Sequence, residues 1–475
     1  MNTLRIVKFL GICFAFCICS GAYAGGLNLK VTVHGLRPDS LCFLANYFGD
    51  KQYLQDSTKA DANGVVIFQK PEQMPRGIYL FVMPGKKYFE VVLDTIQEFQ
   101  MESDIGDIIR NMKVTGCPEN EYFYNYLRFI DGASNEIEDL KRQQTAAKDD
   151  SVLTKSIKEK MTLVDNKVKD YKNAYMKDHP EAFMSKVFKT SQDPTVPPTP
   201  LLPNGAKDST FAYRYFKAHY FDDFDFSDAR FLRTPLLNSK LEYYFKNLVY
   251  QIPDSIITES NWLVEKARAD KEVFKYMVWY LTYKYELSNI MGMDAVFVHM
   301  VDSYYRTGQA YWVDSTVLYK MLDKATVLKP ILLGKTCRNI ILEDTSGVYQ
   351  NMYSLKNQYV ILFFWDPDCG HCKAAMPKMI DLYEKYKSKD VEIFAICTEA
   401  EVDKWKKFIQ EKNLKWINVA DPHFKTNVRH EFDITSTPQI FLLDKDRKII
   451  CKKVDVEHLG DFLDHMFKEK VKDLN

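Results

Sequence analysis

The sequence predicts a multidomain chain of mixed α/β and α+β class, in which an antiparallel β-sandwich and a mostly α-helical domain precede an α/β domain. Three observations predict this. Short apolar–polar alternations separated by turn residues fill the first part, long charged helix-favouring stretches fill the middle, and strands alternate with helices towards the end. At 475 residues the chain is long enough for about three domains. Lysine plus arginine and aspartate plus glutamate each total 64, so no net charge draws the chain to nucleic acid or acidic lipid.

The N-terminus carries Arg5 and Lys8, then the apolar run FLGICFAFCIC, then SGAYA with Ala22 and Ala24 at the small positions a signal peptidase reads. The run is shorter than the roughly 20 residues a membrane span needs. Residues 1–24 are therefore expected to be a Sec signal peptide cleaved near Ala24, leaving a periplasmic or secreted protein with peripheral or no membrane contact. Cleavage discards Cys13, Cys17 and Cys19 and leaves seven of the ten cysteines, sparse for a chain that can bury a core without disulfides.

Residues 25–117 are expected to form the antiparallel β domain. LNLKVTVHGL alternates at a period of two, DANGVVIF places Asn-Gly before a β-branched run, and GIYLFVMPGKKYFEVVLD reads as a hairpin across Pro84-Gly85. Cys42 and Cys117 lie near its two ends, and spacing leaves their pairing open.

Residues 118–326 are expected to be mostly helical. NEIEDLKRQQTAAKDD and SIKEKMTLVDNKVKDYKNAYMKD favour helix, and Leu163, Val164, Val168 and Tyr171 keep roughly helical spacing. The five prolines of DPTVPPTPLLPNG forbid regular structure and mark a loop or hinge. The Tyr and Phe residues between Phe211 and Tyr319 are read as core, with a peptide-binding groove as the alternative, and FDDFDFSD lacks the glycine and terminal glutamate of a calcium loop.

Residues 327–475 alternate strand and helix signals. In order they are IILED, the apolar run YVILFFW, a helix from Cys369 to about Tyr386, VEIFAIC, the helix EVDKWKKFIQEK and WINV. A short helix around TNVRHEF, QIFLLD, a turn at Asp444 to Arg447, KIICKK and the helix LGDFLDHMFKE complete the series. Such alternation implies βαβ units and a largely parallel sheet covered on both faces.

The chemistry concentrates in FFWDPDCGHCKAAMP. An almost unbroken apolar strand leads into a helix, so Cys369 falls at or near the helix N-terminus, where unpaired N–H groups and the dipole stabilise a thiolate. Cys372 sits one turn further on, within reach of a disulfide. The placement makes Cys369 the attacking sulfur and Cys372 the one that resolves a mixed disulfide. A zinc site would want a second ligand pair at similar spacing, and haem attachment would want His where Lys373 stands. A structural staple closing so short a loop would gain little. HEFDI at His430 lacks the second histidine of a zinc-protease motif, and Pro330 and Cys337 have peroxiredoxin spacing but Gly334 where Thr or Ser belongs. Cys337, Cys397 and Cys451 are expected to pack as small apolar residues.

These residues amount to a resemblance. The segment from about Gly334 to Lys468 resembles the thioredoxin-like fold, and within it the TlpA/ResA-like extracytoplasmic thiol–disulfide oxidoreductases. The strand ending in Trp365, the CGHC sequence, Pro377 within the helix and TSTPQIFLLDKDRK carry the match. The resemblance implies a cis bond between Thr437 and Pro438, with Pro438 packed against the Cys369–Cys372 pair and Trp365 bordering it. It implies no bound cofactor or metal, and as partners protein thiol/disulfide substrates and a redox partner protein. Phe363 stands where thioredoxins bury an acid, and Ala375 where the relatives often carry glutamate, so neither usual proton acceptor is present. Asp368 would raise the pKa of Cys369, whereas His371, as an imidazolium, would stabilise its thiolate and tune the pair. A rival reading from another class stays open: a cell-envelope interaction or scaffold protein whose thioredoxin-like domain has little redox activity.

Overall fold

The computed structural model describes residues 25–147, 150–399 and 401–473, so the expected signal peptide at 1–24 lies outside the described residues. The chain divides into two compact units, one of Met1–Asp193 with Arg230–Asn238 and the other of Pro194–Ala229 with Ser239–Asn475.

The first unit is built on strands β1 (Asn28–His34), β2 (Leu41–Phe48), β3 (Lys51–Lys59), β4 (Val65–Gln69), β5 (Gly77–Val82), β6 (Tyr88–Leu93), β7 (Glu98–Asp104) and β8 (Lys113–Thr115). They form two four-stranded sheets, ordered β4-β1-β7-β8 and β3-β2-β5-β6. All neighbours are antiparallel except β1 and β7, which run parallel. Period-two alternation turns Leu29, Val31 and Val33 of one sheet and Phe81, Phe89 and Val91 of the other into one shared core. The hairpin at Pro84-Gly85 joins β5 to β6, with Gly85 at φ 76°, a conformation glycine adopts without a Cβ penalty.

Helices α1 (Ile108–Asn111), α2 (Pro118–Ala146), α3 (Ser151–Asp178) and α4 (Phe183–Thr190) follow in the same unit. Asn120 ties α2 to the sandwich: its side chain accepts from Val92 N at 2.8 Å and donates to Val92 O at 2.7 Å, satisfying both backbone groups in a fully buried place. In α3, Val164 is buried and Val168 and Tyr171 are half-buried on one face, but Leu163 is 60% exposed. Leu163 falls one position, about 100°, off the i, i+4, i+7 stripe that the other three make. Cys42 and Cys117 are buried free thiols.

The second unit contains α5 (Phe211–His219), α6 (Leu236–Tyr243, which opens within the Arg230–Asn238 segment), α7 (Pro253–Ala267), α8 (Lys271–Glu286), α9 (Asp294–Met300) and α10 (Ser315–Leu328). Tyr276, Phe245 and Phe297 are wholly buried core, whereas Tyr250, Tyr311 and Tyr319 are exposed. The proline-rich stretch before α5 forms no helix, and its single ladder contact is the bridge Leu201 to Lys207.

The C-terminal sheet comprises β9 (Ile341–Asp344), β10 (Tyr349–Asn351), β11 (Tyr359–Trp365), β12 (Val391–Cys397), β13 (Ile417–Ala420), β14 (Gln439–Leu443) and β15 (Ile449–Lys452), in the order β10-β9-β13-β12-β11-β14-β15. With them run α11 (Gly370–Tyr386), α12 (Val402–Lys412), α13 (Val428–Glu431) and α14 (Val456–Asp473). The sheet is mixed, which corrects the largely parallel one expected. Only β11–β12 and β12–β13 are parallel; the other four pairings are antiparallel. Parallel neighbours need a long crossover, and α11 and α12 supply two. The turn at Asp444 to Arg447 is too tight for a crossover and sends β15 back along β14. Every residue of β11 is buried, as a central strand requires. Among the described residues no helix is long and apolar enough to cross a membrane.

One buried ion pair joins the helices of this unit to its sheet. Lys452, 1% exposed on β15, meets the Asp294 carboxylate at the start of α9 and donates to Ile331 O at 2.7 Å. Burial, against the pull of Asp294, holds the Lys452 ammonium below its ordinary range. Asp294→Ala leaves that ammonium buried and uncompensated, and should cost about 3–5 kcal/mol in urea unfolding. Because the unfolded chain then binds the lysine proton more readily than the folded one, stability of the variant should rise with pH towards the ordinary lysine value of about 10.4.

Candidate active site

Strand β11 is fixed on both faces and releases the chain only after Trp365, which is itself wholly buried and packs its ring 5.1 Å from that of Phe408. The chain then turns sharply. Asp366 accepts from Asp368 N through its carboxylate at 2.7 Å and from Cys369 N through its carbonyl at 3.2 Å. This turn delivers Cys369 as the N-cap residue of α11, in extended conformation at φ −71° and ψ 122°. Cys372 lies in the first turn, on the face that carries Met376, Met379, Leu382 and Tyr386 into the core. Pro377 sits within α11, where its missing N–H leaves one helix bond unmade.

The two thiols therefore occupy different surroundings. Cys369 is half-buried and Cys372 is not exposed at all. Cys369 Sγ donates to Thr437 O at 3.2 Å, and Cys372 Sγ accepts from Asp366 N at 3.4 Å. The Thr437–Pro438 peptide is cis, and the loop before β14 sets Thr437 against the start of α11.

Their acidities diverge accordingly. Burial opposes ionisation of Cys369, but hydrogen bonds from the Cys372 backbone, the Thr437 side chain, the Cys372 thiol and the His371 backbone outweigh it and hold the thiol below its ordinary value. Burial pushes Cys372 up to about 11, and the neighbouring Cys369 adds to the rise. Burial also raises the remaining thiols, Cys337 and Cys397 to about 12, Cys42 and Cys451 to about 11, and Cys117 above its ordinary value. Cys337 is wholly buried, unlike an attacking peroxidatic thiol.

One sequence expectation changes. Asp368 does not stand unopposed beside Cys369, because Lys404 on α12 reaches it at 3.1 Å. Phe363, at the position of the missing acid, packs in the same core as Cys372. His371 is exposed and contributes its backbone N–H to Cys369. Sequence reasoning missed the Asp366 N–H to Cys372 bond and the role of Lys404. Only the sheet and α12 bring position 404 back to 368, and no local pattern signals it. Among the described residues no group of three or more His, Cys, Asp or Glu side chains is placed to hold a metal ion.

A two-thiol helix start beside a cis-proline loop, on a mixed sheet flanked by helices, defines a protein of the thioredoxin-like class. Residues 333–452 match the AhpC/TSA family, and residues 143–327 match a domain of unknown function, DUF5106. The thiol–disulfide oxidoreductase ResA of Bacillus cereus is 33% identical over 120 residues, covering 25% of this chain and 68% of the relative. Solved structures are similar as well. A thioredoxin-like protein from Bacteroides caccae shares 18% identity over 57% of this chain and 99% of that one, with a TM-score of 0.46. A domain of a possible thiol-disulfide isomerase from Cytophaga hutchinsonii shares 38% identity over 30% of this chain and 98% of that one, with a TM-score of 0.29. The chain belongs to the ResA family of thioredoxin-like thiol–disulfide oxidoreductases, and this homology supports general thiol–disulfide oxidoreductase activity for its C-terminal domain.

The split acidities make a direct expectation. Iodoacetamide labelling followed by peptide mass mapping should find Cys369 carboxamidomethylated first, with a half-maximal rate at a pH below the roughly 8.5 of an ordinary thiol. Cys372 should stay unlabelled until the chain is unfolded or the pH approaches 11.

Proposed function

We propose that this protein is a periplasmic or secreted enzyme that exchanges disulfides with protein substrates through the Cys369–Cys372 dithiol. The observation that carries the reading is the asymmetry of the pair: one half-buried sulfur held ready to ionise at a helix start, the other protonated and buried one turn away. The leader-like residues 1–24 support the location, since disulfide chemistry belongs outside the reducing cytosol.

Starting from the dithiol, the Cys369 thiolate attacks one sulfur of a substrate disulfide. The substrate S–S bond breaks, a Cys369–substrate disulfide forms, and the departing substrate thiolate takes a proton from water. Mixed-disulfide formation removes the anion that had been raising the pKa of Cys372. The Cys372 thiol then loses its proton to solvent more easily, and the Asp366 N–H stabilises the resulting thiolate. That thiolate attacks Cys369 Sγ, forming the internal disulfide and releasing the second substrate thiolate. The substrate gains two electrons and two protons; the enzyme loses the same. A redox partner protein with a dithiol restores the pair by the same steps run backwards, leaving the partner as the disulfide. Thr437 and Pro438 flank the reacting sulfur, and the backbone there suits an extended substrate added as a strand. Trp365 backs the pair from within the core, and His371 tunes it from the exposed side.

Cys369→Ser should abolish exchange with a peptide disulfide, while Cys372→Ser should accumulate a covalent protein–peptide conjugate visible by mass spectrometry and dissolved by dithiothreitol. Full activity in both variants would overturn the assignment. A wild-type pair that neither oxidises nor reduces under mild thiol buffers would favour the scaffold reading.

A further inference from the structure

Beside Cys369 the start of α11 and the outer face of α12 enclose an open cleft of about 390 Å³. That lies within the roughly 300–1,000 Å³ of clefts that hold ligand groups. Its walls are Pro367, Asp368 and Lys373 on the cysteine side and Lys404, Lys407, Phe408, Glu411 and Lys412 on α12. Buried Pro367 and the half-buried ring of Phe408 provide apolar surface; the lysines provide the rim.

The charge of the cleft is unbalanced. Four ammonium groups face two carboxylates. Lys404 is engaged by Asp368 at 3.1 Å and by Glu401, outside the cleft, at 3.0 Å. Lys407 approaches Glu411 only to 3.9 Å. Lys373 and Lys412 are exposed and have no carboxylate partner among the described residues. The whole chain is neutral, so this excess is local, and Asp368 and Lys373 of its lining flank the Cys369–Cys372 pair in sequence.

We propose that this cleft is a docking surface for an acidic segment flanking the reactive cysteine of the protein partner. The inference rests on the thiol-exchange reading above and deepens it, naming the charge of the partner that reading leaves open. An acidic chain laid along α12 would pair with Lys373, Lys407 and Lys412 and set an apolar side chain against Phe408, while its disulfide sulfur meets Cys369. Charge of this kind acts mainly on encounter: oppositely charged clefts raise association rates by about 10–10³-fold, and salt removes the effect.

The test uses the full chain and three synthetic peptide disulfides whose cysteine is flanked by glutamates, glutamines or lysines, with hydroxyethyl disulfide as a small neutral reference. At low ionic strength the glutamate peptide should react about 10-fold or more faster than the lysine peptide, once each is divided by the reference rate. The ratio should collapse at 1 M salt, where the screening length is about 3 Å. The combined variant Lys373→Glu, Lys407→Glu and Lys412→Glu changes exposed residues only and should reverse the order while the reference reaction persists. Equal normalised rates for the three peptides, with hydroxyethyl disulfide still exchanging, would overturn the docking surface alone. Failure of hydroxyethyl disulfide to exchange with the wild-type chain would overturn the redox reading and the docking surface with it.

Discussion

The site depends on one constraint: β11 is buried on both faces and must end where α11 begins. A strand pinned on two sides can release its chain only at its carboxyl end, and the Asp366–Cys369 turn there leaves a cysteine at the helix N-cap. Backbone N–H groups that the first turn cannot pair internally then point at sulfur rather than at water. The covalent spacing of the pair puts the second cysteine on the buried face of the same turn, so a single backbone path makes one thiol acidic and the other not.

Around this turn the long-range contacts divide the labour. The loop carrying Thr437 is brought up by the antiparallel pairing of β14 with β11, which is why residues 68 positions apart hydrogen-bond. Helix α12, carried in by the parallel crossover from β12, presents Lys404 to Asp368 and leaves its other lysines facing outward. The first arrangement adds Thr437 to the groups around both sulfurs; the second governs what charge surrounds the approach to them.

Much of the fold was legible because its signals are local. Alternation in LNLKVTVHGL, the turn at Pro84-Gly85 and the unbroken apolar run of β11 each reflect a period or a dihedral preference carried by neighbouring residues. The start of α11 was legible for the same reason. What failed to appear was pairing direction: two runs with strand character look alike whether their neighbour runs parallel or antiparallel, so β9, β14 and β15 were read into a more parallel sheet than the one formed, and the three-residue β10 was not read at all. Leu163 itself lies one position off the stripe of Val164, Val168 and Tyr171 and is exposed, so the four do not share one face.

The sequence by itself determined the element order, the central strand and the pair of cysteines one helical turn apart, since each follows from preferences expressed within a few residues. Tertiary structure alone decided which distant groups meet. The Thr437 carbonyl, the Lys404 ammonium opposite Asp368 and the Lys452–Asp294 pair all join positions far apart along the chain. Electrostatic surroundings are set by distance in space, and distance in space is what the folding of the sheet creates.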